Sequence, residues 1–83
     1  MYKYELFQRV ALAYNYPEKR LRSGDIATVV DRHPAAGNGE AGYSLEIFNA
    51  IGETIAVIVV SESALQPLHA DEVLHTRALA LAA

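Results

Sequence analysis

The chain has 83 residues, 52% of them hydrophobic and 20% charged, with a formal net charge of −3. That is the composition of one small globular domain, and it excludes a disordered segment or a strongly basic nucleic-acid binder. With no cysteine there is neither a disulfide nor a thiolate metal site, and the longest apolar run, Ile55 to Val60, is far too short to cross a membrane as a helix.

The segment from Gln8 to Ala13 is apolar and alanine-rich and ends at a turn too soon for a useful helix, so it reads as a first strand. Residues 14–23 form a polar loop in which Pro17 fixes its own φ and holds Tyr16 extended, and Leu21 is the one aliphatic side chain available to anchor it. Gly24 and Asp25 supply turn chemistry, and Ile26 to Arg32 follow as a β-rich central strand. Residues 33–42 hold three glycines, a proline and an asparagine and read as an irregular loop. Gly37-Asn38-Gly39 has the look of an anion nest but lacks the strand-loop-helix setting of a phosphate site.

From Tyr43 to Asn49 the alternation is clear: Tyr43, Leu45 and Ile47 face one way, Ser44 and Glu46 the other. Gly52 is the expected positive-φ residue of the turn that follows, and Thr54 to Val60 return to complete a hairpin. This second strand is apolar on both faces, and left open it is an aggregation hazard; its cover has to come from the C-terminal segment or from a second chain. Residues 61–68 suit a single helical turn and a short last strand, with Ser61 as cap and Pro67 at the end. In residues 69–83, Ala70, Leu74, Ala78 and Leu81 recur at helical spacing behind Asp71 and Glu72, which predicts a helix from Asp71 to Leu81.

The order of elements resembles that of SH3-like barrels, and Gly24 with Val29 resembles part of the glycine-valine pattern of KOW-type barrels, with Ala27 standing where their second glycine is expected. A longer resemblance runs from Leu6 to Leu68. It is carried by Phe7-x-Arg9-Val10-Ala11-Leu12, Pro17-Glu18, Leu21-x-x-Gly24-Asp25-x-x-Thr28-Val29-Val30, Tyr43-x-Leu45-Glu46-Ile47-Phe48, Thr54-x-Ala56-Val57 and Leu65-x-Pro67-Leu68. These motifs are similar to those of a family of small bacterial domains of unknown function, the DUF4926 group. The resemblance implies an SH3-like fold and no particular activity. The expected fold is thus mainly β, a small five-stranded SH3-like barrel over residues 1–68 with a C-terminal α-helix over 69–83.

For function, a non-catalytic protein-interaction or accessory module is the leading reading. Its candidate contact residues are Tyr14, Tyr16, Lys19, Arg20 and Arg22, because tyrosine and arginine are favoured at interfaces. Tyr2 and Tyr4 are grouped with this surface; on the alternative reading Tyr2, Tyr4, Tyr14 and Tyr16 all shelter the open end of the barrel and the charged side chains are solvated. The missing tryptophan argues against recognition of proline-rich peptides. The alternative is a weak RNA- or DNA-binding, KOW-like surface on the same loop, against which the net charge counts. Self-association is expected as a homodimer through Val73, Leu74, Ala78 and Leu81 of the predicted helix. The polar candidates for chemistry are His33, His69, His75, Asp25, Asp31 and Asp71. They show neither a metal-ligand spacing nor a nucleophile-base pattern, so no enzyme activity and no cofactor is expected. Absence of cysteine and of an apolar leader is compatible with a cytoplasmic location.

Overall fold

The computed structural model describes residues 1–37 and 39–79. Five strands are formed: β1 (Arg9–Leu12), β2 (Ile26–His33), β3 (Gly42–Phe48), β4 (Thr54–Ser61) and β5 (Leu65–Gln66), with single 3₁₀ turns at Pro17–Lys19 and Glu62–Ala64. They make one antiparallel sheet in the order β4-β3-β2-β1-β5. The segments around Thr28, Ile47 and Val57 lie side by side as the alternation requires, through the pairs Thr28↔Glu46, Glu46↔Val57 and Ile47↔Ala56.

Period-two patterning decides which face is buried. Val10 and Leu12 of β1, Ala27 and Val29 of β2, Tyr43, Leu45 and Ile47 of β3, Ile58 and Val60 of β4, and Leu65 of β5 all point inward. Leu21 joins them from the loop after β1 and is fully buried, as expected of an anchor. Two register shifts bend the sheet: one between Val29 and Asp31 against β3, the other between Ile47 and Phe48 against β4. The β3–β4 turn is held by Asn49, whose side-chain oxygen accepts from Ile51 N (3.1 Å) and Glu53 N (2.9 Å), and Gly52 takes φ +88° there.

Two expectations are corrected. The sheet is a curled half-barrel rather than a closed barrel: β4 and β5 stand at its two ends. The C-terminal α-helix is not present, since residues 67–79 contain only a turn at Ala70–Asp71 and otherwise run as an irregular strap. One turn does start there, because His69 N donates to the Glu72 carboxylate (2.6 Å) and Glu72 N to His69 O (3.1 Å). It does not propagate. A helix of this length is marginal on its own, Val73, His75 and Thr76 are weak helix formers, and the distant anchor of Arg77 described below draws the chain out. Val73, Leu74 and Ala78, predicted to share a helix with Leu81, therefore lie on this strap with no common helical face. Leu81, and Asn38 of the supposed nest, fall outside the described residues.

The seam between the sheet's ends is filled by side chains from the segment before β1. Tyr4 is buried and its hydroxyl donates to Leu65 O (3.2 Å) in β5, while its ring meets Tyr43 edge-on at 5.5 Å. The Tyr43 hydroxyl accepts from the N–H groups of Lys3 (3.1 Å) and Tyr4 (3.2 Å) and donates to the Glu62 carboxylate. Tyr2 packs edge-on against Tyr43 and lies under the Arg32 guanidinium, 4.7 Å from its ring centre. Tyr2 and Tyr4 thus shelter the interior instead of joining a contact surface. Burial and the hydrogen bond to Glu62 raise the Tyr43 phenol above its ordinary value; the same bond, with that from Lys3 N, lowers Glu62.

Removing the Tyr43 hydroxyl leaves the Tyr4 N–H without its partner, while Lys3 N keeps its second bond, to the Glu62 carboxylate (3.0 Å). Tyr43→Phe is expected to cost about 1–3 kcal/mol, a fall in Tm of roughly 5–15 °C for a domain of this size. Tyr4→Phe, which loses one bond, should cost about 1 kcal/mol. Thermal and urea unfolding of the two variants check the order.

Candidate functional site

The loop between β1 and β2 is short of regular structure but well bonded. Tyr16 and Leu21 pair across it, N–H to carbonyl in both directions (2.8 and 3.1 Å), and close the 3₁₀ turn between them. Arg20 N donates to Pro17 O (3.0 Å), with Arg20 itself in the left-handed region at φ 59°. Ser23 N donates to the Asn15 side chain (2.9 Å), tying the two stems together. The buried Leu21 and half-buried Tyr16, which packs on the core, seat this frame on the sheet.

Of the five predicted contact residues, four project from the frame: Tyr14, Lys19, Arg20 and Arg22 are exposed. Tyr16 is partly used as packing. The first 32 residues hold six basic side chains against four acidic ones, and residues 33–83 hold one against six, so the loop is the positive end of an acidic molecule.

Beside the loop lies Asp25, whose carboxylate accepts Arg22 N (2.7 Å) and fixes the turn into β2. It also receives both Nε (3.0 Å) and Nη2 of Arg77, a two-point contact across 52 positions of chain, and Arg77 Nη2 reaches Arg20 O (3.2 Å) as well. The strap is therefore latched onto the base of the loop. Burial alone would raise the Asp25 carboxyl; the Arg77 hydrogen bonds, the Arg22 N–H and the charge of both arginines outweigh it and hold the group below its ordinary 3.8. Arg77 is raised in turn by the same pairing.

Between strap and sheet an open cleft of about 1130 Å³ is lined by Arg9, Ala11, Asp25 and Ile26 on one side and by Leu74, Arg77 and Leu79 on the other. The sequence marks Asp25 as a turn residue and as one of the polar candidates but does not pair it with Arg77, whose one signal is that it is a lone basic residue in an acidic half of the chain. The other polar candidates do not converge. His33 Nε2 is bonded to Ser44 Oγ (2.8 Å) on neighbouring strands, whereas His69, Asp71 and His75 are spread along the exposed strap. Among the described residues no three metal-ligating side chains come together, and no helix is long and apolar enough to cross a membrane.

The latch has a definite pH dependence. A carboxyl lowered by folding contributes its full stability above the ordinary value of 3.8 and loses it as the pH falls through the lowered one. Arg77→Ala should cost about 1 kcal/mol at pH 7, as for a part-exposed ion pair, and the gap to the parent chain should shrink on acidification below 3.8. Urea titrations of both proteins at neutral and acid pH measure it.

No curated protein and no solved structure gives a significant match to this sequence. Residues 6–67, which span all five strands and the bonded loop, match the family described as Domain of unknown function (DUF4926), and the chain belongs to that family.

Proposed function

We propose that this chain is a non-catalytic protein-interaction module that meets its partner through the loop from Tyr14 to Arg22. The observation that carries this is the pairing of exposure with rigidity. Tyr14 is 58% exposed, and Lys19, Arg20 and Arg22 stand free of the sheet on a frame stapled by main-chain and Asn15 hydrogen bonds. A loop already fixed in shape loses little conformational freedom on binding, which favours a contact role over a mere connection. The fitting partner is a protein presenting an acidic surface with room for one aromatic side chain. The cysteine-free chain suits a reducing compartment, and we place the module in the cytoplasm.

A second reading, single-stranded nucleic acid, draws on the same tyrosine among basic side chains but has the net charge of −3 against it. Affinity capture with the parent chain and with a Tyr14→Ala/Lys19→Glu/Arg22→Glu variant of unchanged Tm tests the proposal. A protein retained by the parent and reduced at least ten-fold by the variant is the expected result. Equal capture by both chains overturns it, as does binding of oligonucleotides alone with a steep loss between low and moderate salt.

A further inference from the structure

The outward face of β4 is bare where the core face is packed: Ile55, Val57 and Val59 are 40%, 62% and 68% exposed. β4 is also an end strand, so one of its long edges has no main-chain partner among the described residues. The two facts fall on the same residues. Glu62 N donates to Ala41 O (2.9 Å), one position beyond the pair Gly42↔Ser61, and the register from there to Ile47↔Ala56 is unbroken. Alternation along an antiparallel ladder then turns the peptide groups of Val60, Ile58 and Ala56 toward β3 and those of Val59 and Val57 toward the open edge, as far as the register shift at Ile55.

Natural edges are blunted by lysine, proline or a bulge. Thr54–Ser61 contains no charged residue, no proline and no glycine; its one irregularity is the extra residue Ile55 at the register shift, which leaves Ala56 to Ser61 as a regular edge. The strap does not serve as cover. Its cleft reaches Ile55 but not Val57 or Val59.

We propose that β4 is the interface between two copies of this chain, paired antiparallel about a two-fold axis at Val57. That register sets Val57 against Val57 and brings Ile55 beside Val59 of the second copy, while the main chain of Glu53 stays bonded to Asn49 in the turn. β-branched side chains meet their own kind on the outer face, a favourable cross-strand match. The strand carries no charge to repel its copy, and its flanking acids, Glu53 and Glu62, do not face one another. Such a contact is self-complementary, as a two-fold dimer requires, and joins two half-barrels into one continuous sheet.

Sedimentation of the full chain over a range of concentrations tests this. The expected result is a reversible shift from 9.1 kDa to twice that mass, with Val57→Lys weakening the dimer at least ten-fold while leaving Tm within a few degrees. Paired residues on the axis have Cα atoms about 5.5 Å apart, inside the disulfide range. In this cysteine-free chain Val57→Cys should therefore oxidise to a covalent dimer faster than Val73→Cys, although Val73 is 91% exposed. A monomer at all concentrations, a dimer indifferent to Val57→Lys, or equal oxidation of the two cysteine variants each overturns the proposal. So does a monomer that takes up an unrelated strand-forming peptide along β4.

Discussion

The Tyr43 hydroxyl holds the half-barrel together at its one weak place. A sheet in the order β4-β3-β2-β1-β5 has main-chain bonds between every neighbouring pair, and among the described residues β4 and β5 do not pair across the gap between its ends. Here a phenol in β3 takes N–H bonds from the segment before β1 and gives one to Glu62, in the turn that leads to β5. Tyr4, brought in by those bonds, reaches β5 through Leu65 O. The interior is sealed by two tyrosines standing edge-on, where a closed barrel would use one more strand pairing. Buried polar groups tolerate such a position only when fully bonded, and among the described residues no buried side-chain donor or acceptor is left without a partner.

The opposite edge of the structure is governed by charge. Arg77 is the only cation after Arg32, and it is spent on Asp25, at the foot of the most basic loop of the chain. The strap, the loop and the start of β2 are thereby coupled through one carboxylate that also accepts the Arg22 N–H. The loop owes its shape to local bonds and a buried leucine, and its position relative to the strap to an ion pair between residues far apart in sequence.

What the sequence revealed follows the range of the interactions involved. Alternation from Tyr43 to Asn49, the apolar run from Thr54 to Val60 and Gly52 between them mark the hairpin, because period and turn chemistry act over a few residues. Leu21 was readable as an anchor because a single aliphatic side chain among charges has one favourable place to go. The strap reads as helical by spacing alone: Ala70, Leu74 and Ala78 recur as on one helix face, but spacing does not register a competing contact at Arg77 that favours an extended path. For the same reason the sequence does not separate Tyr2 and Tyr4, which pack against the core, from the exposed Tyr14, and the Tyr43–Glu62 bond has no sequence signal. The loop residues Tyr14, Lys19, Arg20 and Arg22 were found by residue type, and what the sequence could not supply was the set of main-chain bonds that makes their frame stiff.

The closure at Tyr43 has a kinetic consequence. Its bonds to Lys3 and Tyr4 join residues 40 and 39 positions apart, and the one from Tyr4 to Leu65 spans 61. Contacts of that range form only after a large loss of chain entropy, and domains dominated by them fold in milliseconds to seconds rather than microseconds. The hairpin of β3 and β4, by contrast, is local and assembles early. By loop-closure cost the hairpin comes before the seam, and in that order the core face of β4 is wet until Tyr43 has met Lys3 and Tyr4.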